Sequence, residues 1–236
     1  MLIKFTILEV DDMSQRIPGV SLKRNRSERL PCVLVLDGSD SMRASGAIDE
    51  LNEGVALLAA ELKANEETAY GVQLAMLRFG DRDSVEELSG FTDVADFFAP
   101  TVRARGSTPL GLAVAYAMDL VERQKGLYRA HGIGFKRPLI WVFSDGAPTD
   151  DTEAVAAKAQ AAQLARKFTL YTVGIGRGAD LGVLSSFVVG DRCFHLGQRS
   201  LVAMFEFLSA SVAAGSQAAA GQQIQLPPLP PGVLEV

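Results

Sequence analysis

Apolar positions along the chain fall into short unbroken runs separated by longer stretches with three- and four-residue spacing. Val33-Leu34-Val35-Leu36 is one such run, and Leu139-Ile140-Trp141-Val142-Phe143 is another. Runs of this kind predict strands buried on both faces of a sheet. Tyr70 to Phe79 and Phe168 to Val173 read as further strands, Val85 to Leu88 as a shorter one, and Cys193 to Leu196 as a brief last one. Between them the period lengthens. Ile48, Leu51, Val55, Leu58, Ala59 and Leu62 predict a helix over Ala47–Ala64. Further helices are expected up to Glu122 (with Leu112, Tyr116 and Leu120 on its buried face), over 152–167, over 181–187 and over 201–214. A short helical turn is expected from Asp93 to Pro100, and a Gly-rich basic connection containing His131 over 126–137. Strands alternating with helices predict right-handed βαβ units, hence an α/β fold with a doubly wound, mostly parallel sheet and helices on both faces.

The two ends read differently. Ile3, Phe5 and Ile7 alternate with Lys4 and Thr6, which predicts a short edge strand, and Pro18-Gly19 marks a turn that would make a hairpin. The run Lys23-Arg24-Asn25-Arg26 has no aromatic neighbour and reads as a solvated loop. From Gly215 the chain turns to Ala, Gly and Gln and then to Leu226-Pro-Pro-Leu-Pro-Pro-Gly232, an expected flexible, extended tail. The organisation expected is an N-terminal extension over 1–30, one domain over 31–216 and a Pro-rich tail over 217–236.

Composition narrows the classes. With 236 residues the chain has room for one sizeable core. A net charge of -5 argues against nucleic acid or an acidic membrane as partner. Lys4 and Glu9 interrupt the first ten residues too often for a signal peptide, and no apolar run is long enough to span a bilayer. Cys32 and Cys193 lie far apart with no metal-type spacing and read as reduced, buried thiols, so a cytoplasmic location is expected.

Candidate chemistry sits at strand ends. Val33-Leu34-Val35-Leu36 switches abruptly to Asp37-Gly38-Ser39-Asp40-Ser41, and the Leu139–Phe143 run ends in Ser144-Asp145-Gly146. In open α/β sheets ligands bind at the carboxyl ends of strands. Asp37, Ser39 and Ser41 alternate, so a gently turning loop would aim their oxygens one way; oxygen donors converging like this suit a hard divalent cation such as Mg²⁺. Thr108 precedes Pro109 at the mouth of a helix, where the default reading of its hydroxyl is an N-cap.

Together, Asp37-x-Ser39-x-Ser41, Thr108 and Asp145-Gly146 resemble the metal-ion-dependent adhesion site (MIDAS) of von Willebrand factor A domains, whose fold is Rossmann-like. The resemblance implies that Ser39, Ser41 and Thr108 are direct ligands of a divalent cation, with Mg²⁺ first and Mn²⁺ or Ca²⁺ as alternatives. It implies that Asp37 and Asp145 act through water or as outer acceptors, and that an acidic residue of a protein partner completes the octahedron. Gly106 to Gly111, Arg137 to Trp141, Asp145 to Asp150 and Phe207 to Ser211 look like the TerY-like branch named for tellurium resistance. That branch implies a non-enzymatic scaffold in a bacterial tellurite or stress response, with a protein kinase and a PP2C-type phosphatase as partners. Asp40 and Ser107 depart from it, standing where glycine is common; a carboxylate at 40 that faced the metal would raise affinity. The first 30 residues have no counterpart there.

The rival is a Mg²⁺-dependent haloacid-dehalogenase-like phosphatase with Asp37 as nucleophile. That chemistry needs a general acid two residues on, where this chain has Ser39. A Walker loop and a G-x-S-x-G elbow are both absent, and His131 and His195 read as a loop residue and a packing residue.

Overall fold

Strand β1 (Leu30–Asp37) is buried at all eight positions and lies in the interior of the sheet. The computed structural model from which this follows describes residues 28–196, 201–218, 227–231 and 233–236. The predicted strand over the first ten residues and the basic run at 23–26 lie outside the described residues. Parallel to β1 run β2 (Val72–Gly80) on one side and β4 (Leu139–Ser144) on the other, followed outward by β5 (Thr169–Ile175) and β6 (Cys193–Leu196). Two antiparallel strands close the edges, β3 (Ser84–Asp93) on β2 and β7 (Val233–Glu235) on β6, giving the order β3-β2-β1-β4-β5-β6-β7.

Side-chain alternation along β1 divides the core in two. Leu34 and Leu36 face helix α2 (Ala47–Ala64) and α7 (Leu201–Gln217), where Leu51, Val55, Leu58, Met204, Phe205 and Leu208 are buried. Val33 and Val35 face α4 (Leu110–His131), α5 (Glu153–Leu164) and α6 (Leu181–Ser186). Helices therefore cover both faces, as the doubly wound reading requires. Helix α2 packs on α7 so closely that a Cβ on Gly54 would lie 2.1 Å from a ring carbon of Phe205, whose ring stacks on Phe143 at 4.9 Å.

The helix over Ala47–Ala64 and the strand over Cys193–Leu196 have the bounds expected. Other elements differ, for local reasons. Asn65 accepts from the amides of Glu67 and Thr68 and starts a six-residue helix, α3 (Glu66–Gly71), which takes Tyr70 and Gly71 out of β2. Strand β3 runs to Asp93, well past the expected Leu88, and the turn after it is one 3₁₀ turn over Val94–Asp96. Helix α4 continues through Gly126 to His131, because the Schellman-like end comes only at Gly132, with φ 67° and Ile133 N–H on the Tyr128 carbonyl. His131 therefore closes a helix rather than sitting in a loop. The buried face of α4 includes Leu110, Ala113, Val114, Ala117, the expected Leu120, Val121 and Tyr128; the expected Leu112 is 46% exposed. The expected flexible tail is in part ordered: Val233 is buried in β7 and Leu229 packs against the core.

Candidate metal centre

Parallel register brings the three loops together. Leu36 pairs with Phe143, so the next residues, Asp37 and Ser144, sit side by side at the carboxyl ends of β1 and β4. Asp37 is fully buried. Its Oδ1 accepts from the Ser39 amide at 2.8 Å, a bond that turns the chain out of the strand, and its Oδ2 accepts from Ser144 Oγ at 2.5 Å. Beyond the turn comes a short helix, α1 (Asp40–Ala44).

The hydroxyls then form a chain. Ser39 Oγ and Ser41 Oγ lie 2.8 Å apart, and Ser41 Oγ donates to Asp145 Oδ1 at 2.6 Å. Ser45 Oγ reaches Asp145 Oδ2 at 3.4 Å. A Cβ built on Gly146 would lie 3.5 Å from Thr108 Oγ1 and 3.6 Å from Ser41 Oγ, so these two hydroxyls flank one point beside a residue that has no side chain. All five expected residues, Asp37, Ser39, Ser41, Thr108 and Asp145, thus meet at one end of the sheet. Ser39, Thr108 and Asp145 are buried, whereas Ser41 is exposed and opens the cluster to solvent.

Backbone bonds tie the loops to one another. The Gly38 amide donates to the Phe79 carbonyl at 2.8 Å, and the Asp40 amide to the Gly106 carbonyl at 3.0 Å. Thr108 exchanges two bonds with Thr149: its carbonyl accepts from the Thr149 amide at 2.9 Å and its amide donates to Thr149 Oγ1 at 3.2 Å. The capping reading of Thr108 is corrected here. No side chain at the cap position bonds the first turn of α4; the Asp150 carboxylate does so, accepting from the amides of Gly111 at 3.1 Å and Leu112 at 2.8 Å. The dipole at this helix end favours that anion, and the Thr108 hydroxyl is left available for another role.

Burial is the main force on Asp37 and pushes its carboxyl up to about 6; the bonds from Ser144 and Ser39 pull it down, and the charge of Asp145 adds to the rise. A buried carboxylate beside a second one is an unfavourable concentration of negative charge, and a divalent cation would offset it. The donors are hydroxyl and carboxylate oxygens, which fit a hard cation. Among the described residues no cluster of three or more His, Cys, Asp or Glu occurs, so the arrangement is unlike a closed zinc centre.

The departures at 40 and 107 have simple places. Asp40 pairs with Arg43 at 2.8 Å in an exposed bridge and takes no part in the cluster's hydrogen bonds, while Ser107 donates to Asp83 at 2.5 Å. Neither histidine joins the site: His195 Nε2 lies 2.9 Å from the Gly176 carbonyl and His131 Nδ1 lies 2.8 Å from the Leu127 carbonyl. Ser45, Ser144, Thr149 and Asp150 are participants that spacing alone did not single out. Their partners lie 38 to 107 positions away, apart from near-neighbour contacts of Ser45.

The family model described as von Willebrand factor type A domain matches residues 32–194. No curated protein sequence matches the chain. Among solved structures, proximal thread matrix protein 1 from the mussel byssus, with a zinc-occupied MIDAS motif, is similar at a TM-score of 0.54 and 15% identity, covering 80% of this chain and 49% of that one. A von Willebrand factor type A protein from Catenulispora acidiphila gives 0.58 and 16%, covering 79% and 43%. The vWF domain of the pilus tip protein Mfa5 from Porphyromonas gingivalis gives 0.58 and 11%, covering 83% and 99%. The chain thus spans about half the length of the mussel protein, and at these identities the likeness is one of fold.

Proposed function

The chain belongs to the von Willebrand factor type A domain family, and from that premise we propose that it is a metal-dependent protein-binding module rather than an enzyme. The observation that carries this reading is the meeting of Ser39, Ser41 and Thr108 hydroxyls with the Asp37 and Asp145 carboxylates at one strand end. Ser39, Ser41 and Thr108 would hold the cation, Mg²⁺ in the first place, and Asp37 and Asp145 would supply charge and orient them. The bound cation would act as a Lewis acid that receives a carboxylate from a protein partner. The exposed side of Ser41 supports an approach from solvent.

The TerY-like loops, Gly106 to Gly111 and Asp145 to Asp150, support a more specific role. That role is a cytoplasmic scaffold in a tellurite or related stress response, with a protein kinase and a PP2C-type phosphatase as partners. Among the described residues no helix is long and apolar enough to cross a membrane. The phosphatase alternative is disfavoured because Asp37 is fully buried and each of its carboxylate oxygens already accepts a hydrogen bond.

Calorimetric titration with Mg²⁺, followed by co-purification of the tagged protein with Mg²⁺ or with EDTA, tests the reading. Saturable binding of the cation, and a kinase or phosphatase retained with Mg²⁺ and lost with EDTA, is the expected result. A chain that binds no divalent cation would overturn it.

A further inference from the structure

We infer that Ser144 is a positioning residue of the metal centre, acting through Asp37. The inference rests on the proposed reading of the site and adds a residue outside the five-residue pattern. Ser144 is the last residue of β4, and its exposure is zero. Its hydroxyl donates to Asp37 Oδ2 at 2.5 Å, a short bond of the charge-assisted kind. The Ser39 amide holds the other oxygen at 2.8 Å. Two donors from two directions fix the carboxylate plane, and each oxygen keeps a lone pair with which it could accept from a further donor of the site.

The register makes this arrangement specific. Cys32 pairs with Leu139 and the parallel ladder runs without a shift to Leu36 and Phe143, so the residue after Phe143 is the one beside Asp37. On the other side Ser144 pairs with Gly174, which offers no polar side chain. Ser144 is followed directly by Asp145, so one short stretch serves both carboxylates: Ser144 holds Asp37, and Asp145 accepts from Ser41. A hydroxyl is the smallest side chain that can donate here without adding charge to a site already holding two carboxylates. Outer partners of this sort govern affinity for metal because they hold its ligands in place.

The test is Mg²⁺ titration by calorimetry on the intact chain and on Ser144→Ala and Ser144→Thr, with thermal unfolding of each in EDTA. Ser144→Ala is expected to lose about tenfold in Mg²⁺ affinity, the lower end of the effect of removing such partners. Ser144→Thr, which restores the hydroxyl, is expected to recover most of it. Unfolding temperatures in EDTA report any plain structural damage, and rescue by threonine separates that from the loss of the donor. Equal affinity in the intact chain and Ser144→Ala would overturn the inference while leaving the metal site standing. Absence of Mg²⁺ binding by the intact chain would overturn both.

Discussion

Ser41 and Asp145, 104 positions apart in the sequence, are joined by a hydrogen bond of 2.6 Å from hydroxyl to carboxylate. The bond links the short helix α1 after β1 to the loop after β4, and Thr108 flanks the same point. Ser41→Ala and Thr108→Ala are each expected to lower Mg²⁺ affinity by about tenfold or more, while leaving unfolding in EDTA nearly unchanged. Calorimetry alongside circular-dichroism melts checks both halves of the statement. An unchanged affinity in Thr108→Ala would remove it from the ligand set.

Asp150 holds the first turn of α4 by two amides, and neighbouring Thr149 holds Thr108. Asp150→Ala removes the capping carboxylate, at an expected cost of about 1–2 kcal/mol in stability. Because the same turn carries Thr108, Mg²⁺ affinity is expected to fall with it. Asp150→Asn, which keeps one acceptor, should lie between the two. Urea unfolding and titration of the three proteins give the order.

A different group of polar residues lies around the start of β1. Arg29, fully buried, pairs with Asp93 at 3.3 Å, and Gln73 donates to the same carboxylate at 2.6 Å. Gln124 and Tyr128 in turn donate to Gln73. Asp93→Ala takes the carboxylate away from a buried guanidinium, and breaking such a pair costs about 3–5 kcal/mol. A large drop in the urea midpoint is expected, without a change in the slope of the transition. A drop no larger than that of a surface substitution would show the pair to be unimportant.

Cys32 lies at zero exposure in β1, and burial pushes its thiol from 9.0 up to about 12. The sign follows from linkage: the unfolded chain releases this proton at lower pH than the folded one does. The contribution of Cys32 to stability is therefore complete below pH 9 and is lost as pH rises from there toward 12. Chemical denaturation across that range should show stability falling, and Cys32→Val should flatten part of the fall. At pH 8 the native protein should resist alkylation at Cys32 and become labelled only on unfolding.

Much of this architecture is legible in the sequence because burial leaves a plain pattern. Val33 to Leu36 and Leu139 to Phe143 read as central strands because both of their faces are covered. The helix over Ala47–Ala64 reads to the residue because its apolar stripe keeps one period throughout. The misreadings have physical sources. Gly126 resembles a helix stop, yet it sits on an open side of α4 where a Cβ would meet nothing. Strand β3 runs beyond its apolar stretch because an edge strand is only partly covered, and Ser89, Gly90 and Thr92 continue it as half-buried positions. The five oxygen-bearing residues of the centre were legible as a pattern. Their supports were not, because Ser144 depends on strand register and Asp150 on a turn 38 positions away.

The strand order β3-β2-β1-β4-β5-β6-β7 carries a consequence for how the chain is made. Each strand after the first pairs with one synthesised before it, so the sheet can be laid down strand by strand as the chain leaves the ribosome. Among the described strands, the only return to an earlier one is the step from β3 back to the free side of β1. That same step delivers Ser144 and Asp145. A nascent chain that has finished β3 already holds Asp37, Ser39 and Ser41 but has nothing to set opposite them. Binding of the proposed cation would then report that the two halves of the sheet have joined, and metal added to a growing chain before that point would have no complete site to favour.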